Sequence, residues 1–325
     1  MDSQRSLTVV IAAYNEEAVI ARMHQRLAAV LDGTDAESTV LYVDDGSRDN
    51  TWAELERIAA ADPRVRLLRL ARNFGKELAL TAGLDHVETD AALVLDADGQ
   101  DPPELIPDFV ARWREGYDVV YGTRTARDGE SWFKRFTAAG FYRVIQRLSK
   151  TPIPPDTGDF RLMSRPVLDA LRQVRERQRF MKGIFTWVGF NQVSLPYHRE
   201  PRLAGGSKFN YWKLWNLAIE GITSFSTVPL RVATYVGLFT AFAAFAWGAF
   251  VVVRTLFWGD PVQGWPSLMT VVLFLGGLQL VALGIIGEYL GRLYMEAKQR
   301  PLYLIAREVR PGGRGEITSD PVAGV

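Results

Sequence analysis

The sequence predicts an α/β domain built on a parallel sheet, then amphipathic helices lying along a membrane surface and a two-helix hairpin crossing it. Three observations predict this. Apolar runs of strand length alternate with amphipathic helical stretches through the first half, polar clusters follow the ends of those runs, and two long uncharged segments occupy the last third.

Leu7–Ala13 is a continuous apolar run, as expected of a central parallel strand, and the stretch from about Glu17 to Leu31 reads as a helix. Thr39–Val43 is the next strand and ends on Asp44-Asp45-Gly46-Ser47. Asn50 is placed to cap a helix over Thr51–Ala61, with Pro63 just beyond its end. Val65–Leu70, a helix over Glu77–Val87, Ala91–Leu95 and Val119–Tyr121 continue the alternation. Right-handed crossovers then give a parallel sheet covered on both faces, whose ligands bind beyond the carboxyl ends of the strands. Tyr14-Asn15-Glu16, Asp44-Asp45 and Asp96-Ala97-Asp98 all fall there.

Val232–Val253 and Pro261–Gly287 carry no charge, and the second is most apolar from about 267. A helix of about 20 residues spans a hydrocarbon core of roughly 30 Å. Soluble-core helices seldom run that far without a polar face, so both segments read as transmembrane. Lys208, Lys213 and Arg231 precede the pair, and Arg292, Lys298, Arg300 and Arg307 follow it, whereas the connecting loop holds Arg254 against Asp260. Positive residues stay inside, so both ends are expected in the cytoplasm. The opening residues have no signal-peptide layout, which agrees. Basic, aromatic-rich helical patterns over 131–150 and 208–225 suit the interface, although packing on the sheet domain explains part of each.

Composition removes several function classes. The net charge of +1 offers no field for nucleic acid, and the absence of Cys excludes disulfides, thiolate nucleophiles and Cys-ligated zinc. His24, His86 and His198 match no metal spacing and fit surface or satisfied-core roles. No G-x-G-x-x-G follows the first strand and no Walker loop exists, which disfavours dehydrogenases and P-loop enzymes.

The strongest chemical signal is Asp96-Ala97-Asp98-Gly99-Gln100 at the end of an apolar strand. Hard divalent cations take oxygen ligands and bridge carboxylates to substrate phosphates, so Mg²⁺ or Mn²⁺ is expected beside a departing diphosphate. An isolated Asp-x-Asp is usually a turn feature; a second acidic pair on a neighbouring strand strengthens this one.

VVIAAYNEE at Val9–Glu17, VDDGS at Val43–Ser47, RNFGKE at Arg72–Glu77 and DADGQDPPE at Asp96–Glu104 resemble family-2 inverting glycosyltransferases of the GT-A fold, a Rossmann-like nucleotide-diphospho-sugar transferase fold. GTR at Gly122–Arg124, DTGDFRLMSR at Asp156–Arg165 and GGSKF at Gly205–Phe209 resemble the polyprenyl-phosphate branch, bactoprenol glucosyltransferases and dolichyl-phosphate mannose synthases among them. The resemblance implies transfer of a sugar, glucose first, from a UDP-sugar to polyprenyl (undecaprenyl) phosphate, for cell-envelope glycosylation. It implies a homo-oligomer, a tetramer being one form, in the cytoplasmic membrane. Ala12, Tyr14 and Glu16 would line the base and ribose pocket, Asp45 would meet the base, and Asp96, beside Ala97, the ribose or donor sugar. Asp98 and Gln100 would hold the metal. Arg124, Arg135, Arg202 and Lys208 would surround the phosphates, and Asp159 would stand near the attacking group. A serine found in some relatives one turn after Arg135 is Ala139 here. Lys76 reads equally as a base or phosphate contact and as an exposed lysine at a helix start.

The expected division is a nucleotide-sugar core over 1–130, an acceptor-side part over 131–229, transmembrane helices at about 232–253 and 267–287 within 230–292, and a cytoplasmic tail over 293–325. A processive polysaccharide synthase would carry Q-x-x-R-W and more membrane helices; neither is present. A non-catalytic membrane scaffold would not need Asp96, Asp98 and Gln100 together.

Overall fold

The structure, a computed structural model, describes residues 5–125, 157–177, 179, 181–200, 228–258 and 264–310. The interfacial stretches 131–150 and 208–225, with Arg135, Arg202 and Lys208, lie outside the described residues. The chain divides into two compact units, one containing the sheet and the other the long apolar helices.

The first unit follows the expected alternation closely: β1 (Ser6–Ala13), α1 (Ile20–Asp32), β2 (Glu37–Asp44), α2 (Thr51–Ala61), β3 (Val65–Leu70), α3 (Lys76–Asp85) and β4 (Ala91–Val94). After a short 3₁₀ turn come α4 (Ile106–Arg114), β5 (Val119–Arg124), β6 (Thr157–Ser164), α5 (Arg165–Gln173), α6 (Met181–Trp187) and β7 (Gln192–Tyr197). The strands form one eight-stranded sheet in the order β7-β5-β6-β4-β1-β2-β3-β8, where β8 is Ile305–Val309. β1 to β4 are parallel neighbours whose side chains are mostly buried, because helices cover both faces.

Three expectations need correction. The sheet is mixed: β6 runs antiparallel to both β4 and β5, and β8 antiparallel to β3. The 293–325 region is more than a tail, since Ile305–Val309 pairs along β3 and covers its open edge. Its Ile-Ala-Arg-Glu-Val sequence carries charges suited to an edge strand. Finally, Asn50 makes no side-chain cap to α2; Asp49 instead accepts from the Thr51 N–H at 3.0 Å and the Thr51 hydroxyl at 2.6 Å. The Asn50 N–H donates to Glu17, which stitches the loops after β1 and β2 together.

His24 meets the expectation of a satisfied core histidine, with Tyr42 Oη at 3.0 Å from Nδ1 and Asp62 at 3.5 Å from Nε2.

The second unit holds α7 (Val228–Trp258) and α8 (Trp265–Ala297), which pack along each other. Val232–Phe250 and Phe274–Ala297 are long and apolar enough to cross a membrane. Large apolar side chains such as Phe242, Phe245 and Leu280 stand exposed along them. Water would penalise that surface and lipid would not.

Candidate active site

The carboxyl ends of β1 and β2 open into two loops that brace each other. The Asn15 N–H donates to Ser47 Oγ at 3.0 Å, the Arg48 N–H to Asn15 Oδ1 at 2.9 Å, and the Glu16 N–H to Thr51 Oγ1 at 2.8 Å. Gly46 sits at φ +66 with its α-carbon pressed on the next loop; a Cβ there would come within 2.5 Å of the Arg72 carbonyl carbon. Only glycine meets both conditions.

That close approach brings the 72–75 loop over Asp45. The Phe74 N–H donates to Asp45 Oδ1 at 2.7 Å and the Gly75 N–H to Oδ2 at 2.9 Å. Asp44 accepts from the Ser47 N–H at 3.1 Å and lies 3.2 Å from Arg69 Nε. Burial raises the pKa of both acids above the ordinary carboxylate value, and these donors restrain the rise.

At the next two strands the antiparallel direction of β6 matters. Val94 of β4 pairs with Arg161 of β6, and Leu93 with Leu162. Continuing that register sets Asp159 level with Asp96, so an antiparallel strand delivers its beginning to the edge where its parallel neighbours end. Phe160 and Leu162 point into the core under α4, where Phe160 meets Phe109 at 4.6 Å, and Asp159 and Arg161 take the other face.

One lysine joins the two acids. Lys76, the first residue of α3, places Nζ 2.7 Å from Asp96 Oδ1 and 2.6 Å from Asp159 Oδ2. Nearly half of the Lys76 side chain is accessible, but its ammonium end is enclosed by protein. That enclosure alone would lower its pKa; Asp96 and Asp159 outweigh it and hold the value above the ordinary one. Burial would raise the Asp159 pKa, but Lys76 and Lys182 reverse the sign and hold this acid ionised well below the usual range. Asp159 Oδ1 is buried without a hydrogen-bond partner among the described residues.

Charge is dense around this pair. Arg161 is buried, donates to the Gly158 carbonyl at 2.9 Å and lies 4.0 Å from the Phe185 ring centre; burial pushes its pKa down to about 10. Arg124 passes over Gly158, where a Cβ would meet its guanidinium at 2.8 Å, and donates to Tyr197 Oη at 3.4 Å. Tyr197 in turn donates to Asp101 at 2.5 Å. Burial and the nearby Asp96 push Asp101 up to about 6.

The Asp98 loop closes the rim. Asp98 Oδ1 accepts from the Gln100 N–H at 3.1 Å, and the Gln100 side-chain amide donates to the Glu200 carbonyl at 3.2 Å. Arg26 clamps this corner between Glu104 (2.5 Å) and Glu200 (2.7 Å). Among the described residues, no group of three or more His, Cys, Asp or Glu is arranged to cage a metal ion. Asp98 and the Gln100 amide oxygen are hard donors on a partly exposed loop, a set that suits a cation completed by substrate oxygens and water.

Residues 8–172 match the profile of Glycosyl transferase family 2, and residues 228–293 match that of the GtrB C-terminal hairpin. The chain belongs to glycosyl transferase family 2. This glycosyltransferase is 50% identical over 300 residues to an uncharacterized glycosyltransferase of Synechocystis sp., covering 92% of this chain and 94% of the relative. It is 46% identical over 302 residues to the bactoprenol glucosyl transferase of Shigella phage SfV, covering 93% and 98%. Among solved structures, glucosyl-3-phosphoglycerate synthase from Mycobacterium tuberculosis with Mn²⁺, UDP and phosphoglyceric acid aligns at TM-score 0.46 and 19% identity, over 67% of this chain and 76% of that one.

In this GT-A enzyme, Asp96, Asp159 and Arg124 of the expected set gather in one corner. Ala97 is buried, and Asp98 and Gln100 stand on the adjoining loop. Ala12, Tyr14 and Glu16 are half-buried at the end of β1. Sequence reasoning left out Asp101, Tyr197 and Lys182, and did not commit to Lys76. The Lys76 signal was present, for a lysine directly after the Phe-Gly turn opens the helix beside the acidic strand end.

Proposed function

We propose that the enzyme transfers glucose from UDP-glucose to a polyprenyl phosphate, undecaprenyl phosphate being the expected lipid, with inversion at the anomeric carbon. The observation that carries this reading is the likeness to bactoprenol glucosyl transferases over 93% of the chain, hairpin included. The exposed apolar helices support a membrane seat near a lipid acceptor. The flanking Lys and Arg support cytoplasmic ends, a short outer loop and a sheet unit facing the cytoplasm.

Ala12, Tyr14, Glu16 and Asp45 bind the base and ribose in this reading, and Asp96 the ribose or sugar. Asp98 and Gln100 would hold Mg²⁺ or Mn²⁺ beside the diphosphate. That cation supplies Lewis-acid stabilisation of the leaving group when bound. Arg124, Arg135, Arg202 and Lys208 neutralise the phosphates of both substrates, each Arg offering a two-pronged donor. The assembly is a homo-oligomer.

The nucleophile needs little help. A phosphate monoester has its second pKa near about 6, so it is already mostly dianionic at neutral pH. Asp159, held ionised by Lys76, is a weak proton acceptor and serves to orient cationic side chains. Membranes containing the full chain should move radiolabelled glucose from UDP-glucose to undecaprenyl phosphate. EDTA and Asp98→Ala should each abolish transfer, and Mg²⁺ or Mn²⁺ should rescue only the former. Absence of lipid-linked glucose from the wild type would overturn the reading.

A further inference from the structure

Lys182 helps to keep Asp159 ionised but has been given no ligand of its own, and it is fixed in place. It is the second residue of α6. The preceding amide, Met181 N–H, donates to Glu77 Oε2 at 3.0 Å, and the Thr81 hydroxyl lies 3.8 Å from Met181 Sδ. Three residues on, Phe185 packs beneath the Arg161 guanidinium at 4.0 Å. Contacts on both sides therefore pin the turn that carries Lys182 to α3 and β6.

The residue is half-buried and its ammonium has no carboxylate within ion-pair distance among the described residues, unlike Lys76. It feels Asp159 and Glu77 attractively, and Arg124 and Lys76 repulsively. Enclosure lowers its pKa, and the pull of Asp159 only partly opposes this. A lysine held among other cations, short of a partner and partly withdrawn from water, is costly unless an anion joins it. Asp159 does not fill that role: its Oδ2 pairs with Lys76, and among the described residues neither of its oxygens comes within ion-pair distance of Lys182.

Arg124 shares the corner. Gly158 lacks the Cβ that would push its guanidinium away, and Arg124 donates to Tyr197 through Nε. Two cations from different elements, α6 and β5, thus converge on the start of β6 from outside the Asp96–Lys76–Asp159 bridge.

We propose that Lys182, acting with Arg124, is a ligand of the acceptor's phosphate and sets the affinity for the phosphorylated lipid. This rests on the acceptor assignment made above. The ligand class is a phosphate monoester on a prenyl chain, and its headgroup is what Lys182 recognises. Lys182 does not contact the donor.

The test uses the full chain in detergent with UDP-glucose and two acceptors, undecaprenyl phosphate and farnesyl phosphate. Losing one charged hydrogen bond to phosphate corresponds to about 10- to 100-fold in acceptor KM. Lys182→Met should show that rise equally for both acceptors, because the defect is at the headgroup. The UDP-glucose KM and the slow acceptor-free hydrolysis of UDP-glucose should stay at wild-type values. An unchanged acceptor KM, or an equal rise in both KM values, would overturn the assignment. If Lys182→Met fails to bind UDP and so has not folded, Lys182→Arg and Lys182→Gln decide. Arg should keep the wild-type acceptor KM and Gln should raise it, and equal values for the two would overturn the proposal. Failure of the underlying reading looks different: the wild type itself would glucosylate neither lipid phosphate, and the Lys182 assignment would fall with it.

Discussion

Two pairs of carboxylates stand at the same edge of the sheet and are held in opposite ways. Asp44 and Asp45, at the end of β2, are buried and accept from the backbone N–H groups of Ser47, Phe74 and Gly75. Asp96 and Asp159, at β4 and β6, share a single lysine ammonium. Backbone donors cannot leave without refolding a loop, so the first pair fixes geometry. A lysine on a flexible four-carbon stem moves between partners at small expense in structure, so the second pair can exchange its cation for substrate groups. Residue type alone does not separate framework from chemistry here; the kind of partner does.

The largest expected effect comes from removing the exchangeable partner. Lys76→Met leaves two neighbouring carboxylates without their shared cation, and transfer should fall about 100-fold or more, since charge placement at the reacting centre dominates such sites. Asp159→Asn should lose much less, about tenfold, because the acid is a positioning group and one amide oxygen still faces Lys76. The acidic limb of the rate profile should survive in that variant, because it reports the lipid phosphate titrating near about 6. Kinetics at saturating donor from acid to neutral pH check both. A dead Asp159→Asn, or one without the acidic limb, would break the base-free mechanism.

The framework pair should answer with stability instead. In Asp45→Asn one carboxylate oxygen becomes an NH₂ that faces a backbone N–H, so a buried donor loses its acceptor at a cost of about 1–2 kcal/mol. Thermal unfolding in detergent should register a loss of a few degrees and the UDP-glucose KM should rise, because Asp45 also meets the base in the proposed reading, while kcat at saturating UDP-glucose stays within about threefold of wild type. A collapsed kcat with unchanged stability would dissolve the distinction between the two pairs.

What could be read ahead of the structure follows the same division. β1 to β4 were legible because buried parallel strands are nearly unbroken apolar runs, and the acids ending them mark the ligand edge. Asp98 and Gln100 were legible because their spacing is local. The Lys76 bridge was not, because it joins Lys76 to Asp159 across the whole of β4 and β5, and no periodicity encodes that contact. Lys182 was hidden for the same reason: its meaning lies in partners on α3, β5 and β6. β6 escaped altogether, because Thr157–Ser164 carries Asp159 and Arg161 among its apolar residues and lacks the unbroken run that marks β1 to β4. β8 escaped because a five-residue edge strand bearing Arg307 and Glu308 reads as a polar tail.

The smallest effect probes how α3 meets α6 just beside the exchangeable pair. Glu77 accepts from the Met181 N–H and lies near Asp159; burial first, then that neighbouring charge, raise its pKa from 4.5 to about 7. Between those values the folded protein keeps a proton that the unfolded chain has lost. The folded state then binds more protons than the unfolded state, so stability falls as pH rises from 4.5 to about 7 and levels off above. Asp159, with its pKa lowered, acts with the opposite sign: its contribution is complete above the unfolded value of 3.8 and does not vary in this window. Asp101 shares the sign of Glu77, between 3.8 and about 6. Glu77→Gln keeps an oxygen for the Met181 amide and removes the titration. Above pH 7 it should be more stable than wild type by on the order of 1–2 kcal/mol, and its stability should decline less between pH 4.5 and 7. The slope that remains belongs to Asp101, Asp44 and Asp45, whose pKa values are also raised, and is opposed by His24, whose pKa burial lowers. Parallel stability-versus-pH curves for Glu77→Gln and wild type would mean that Glu77 is ionised throughout, and that α6 is anchored by an ion pair with Lys182 rather than by a neutral acid.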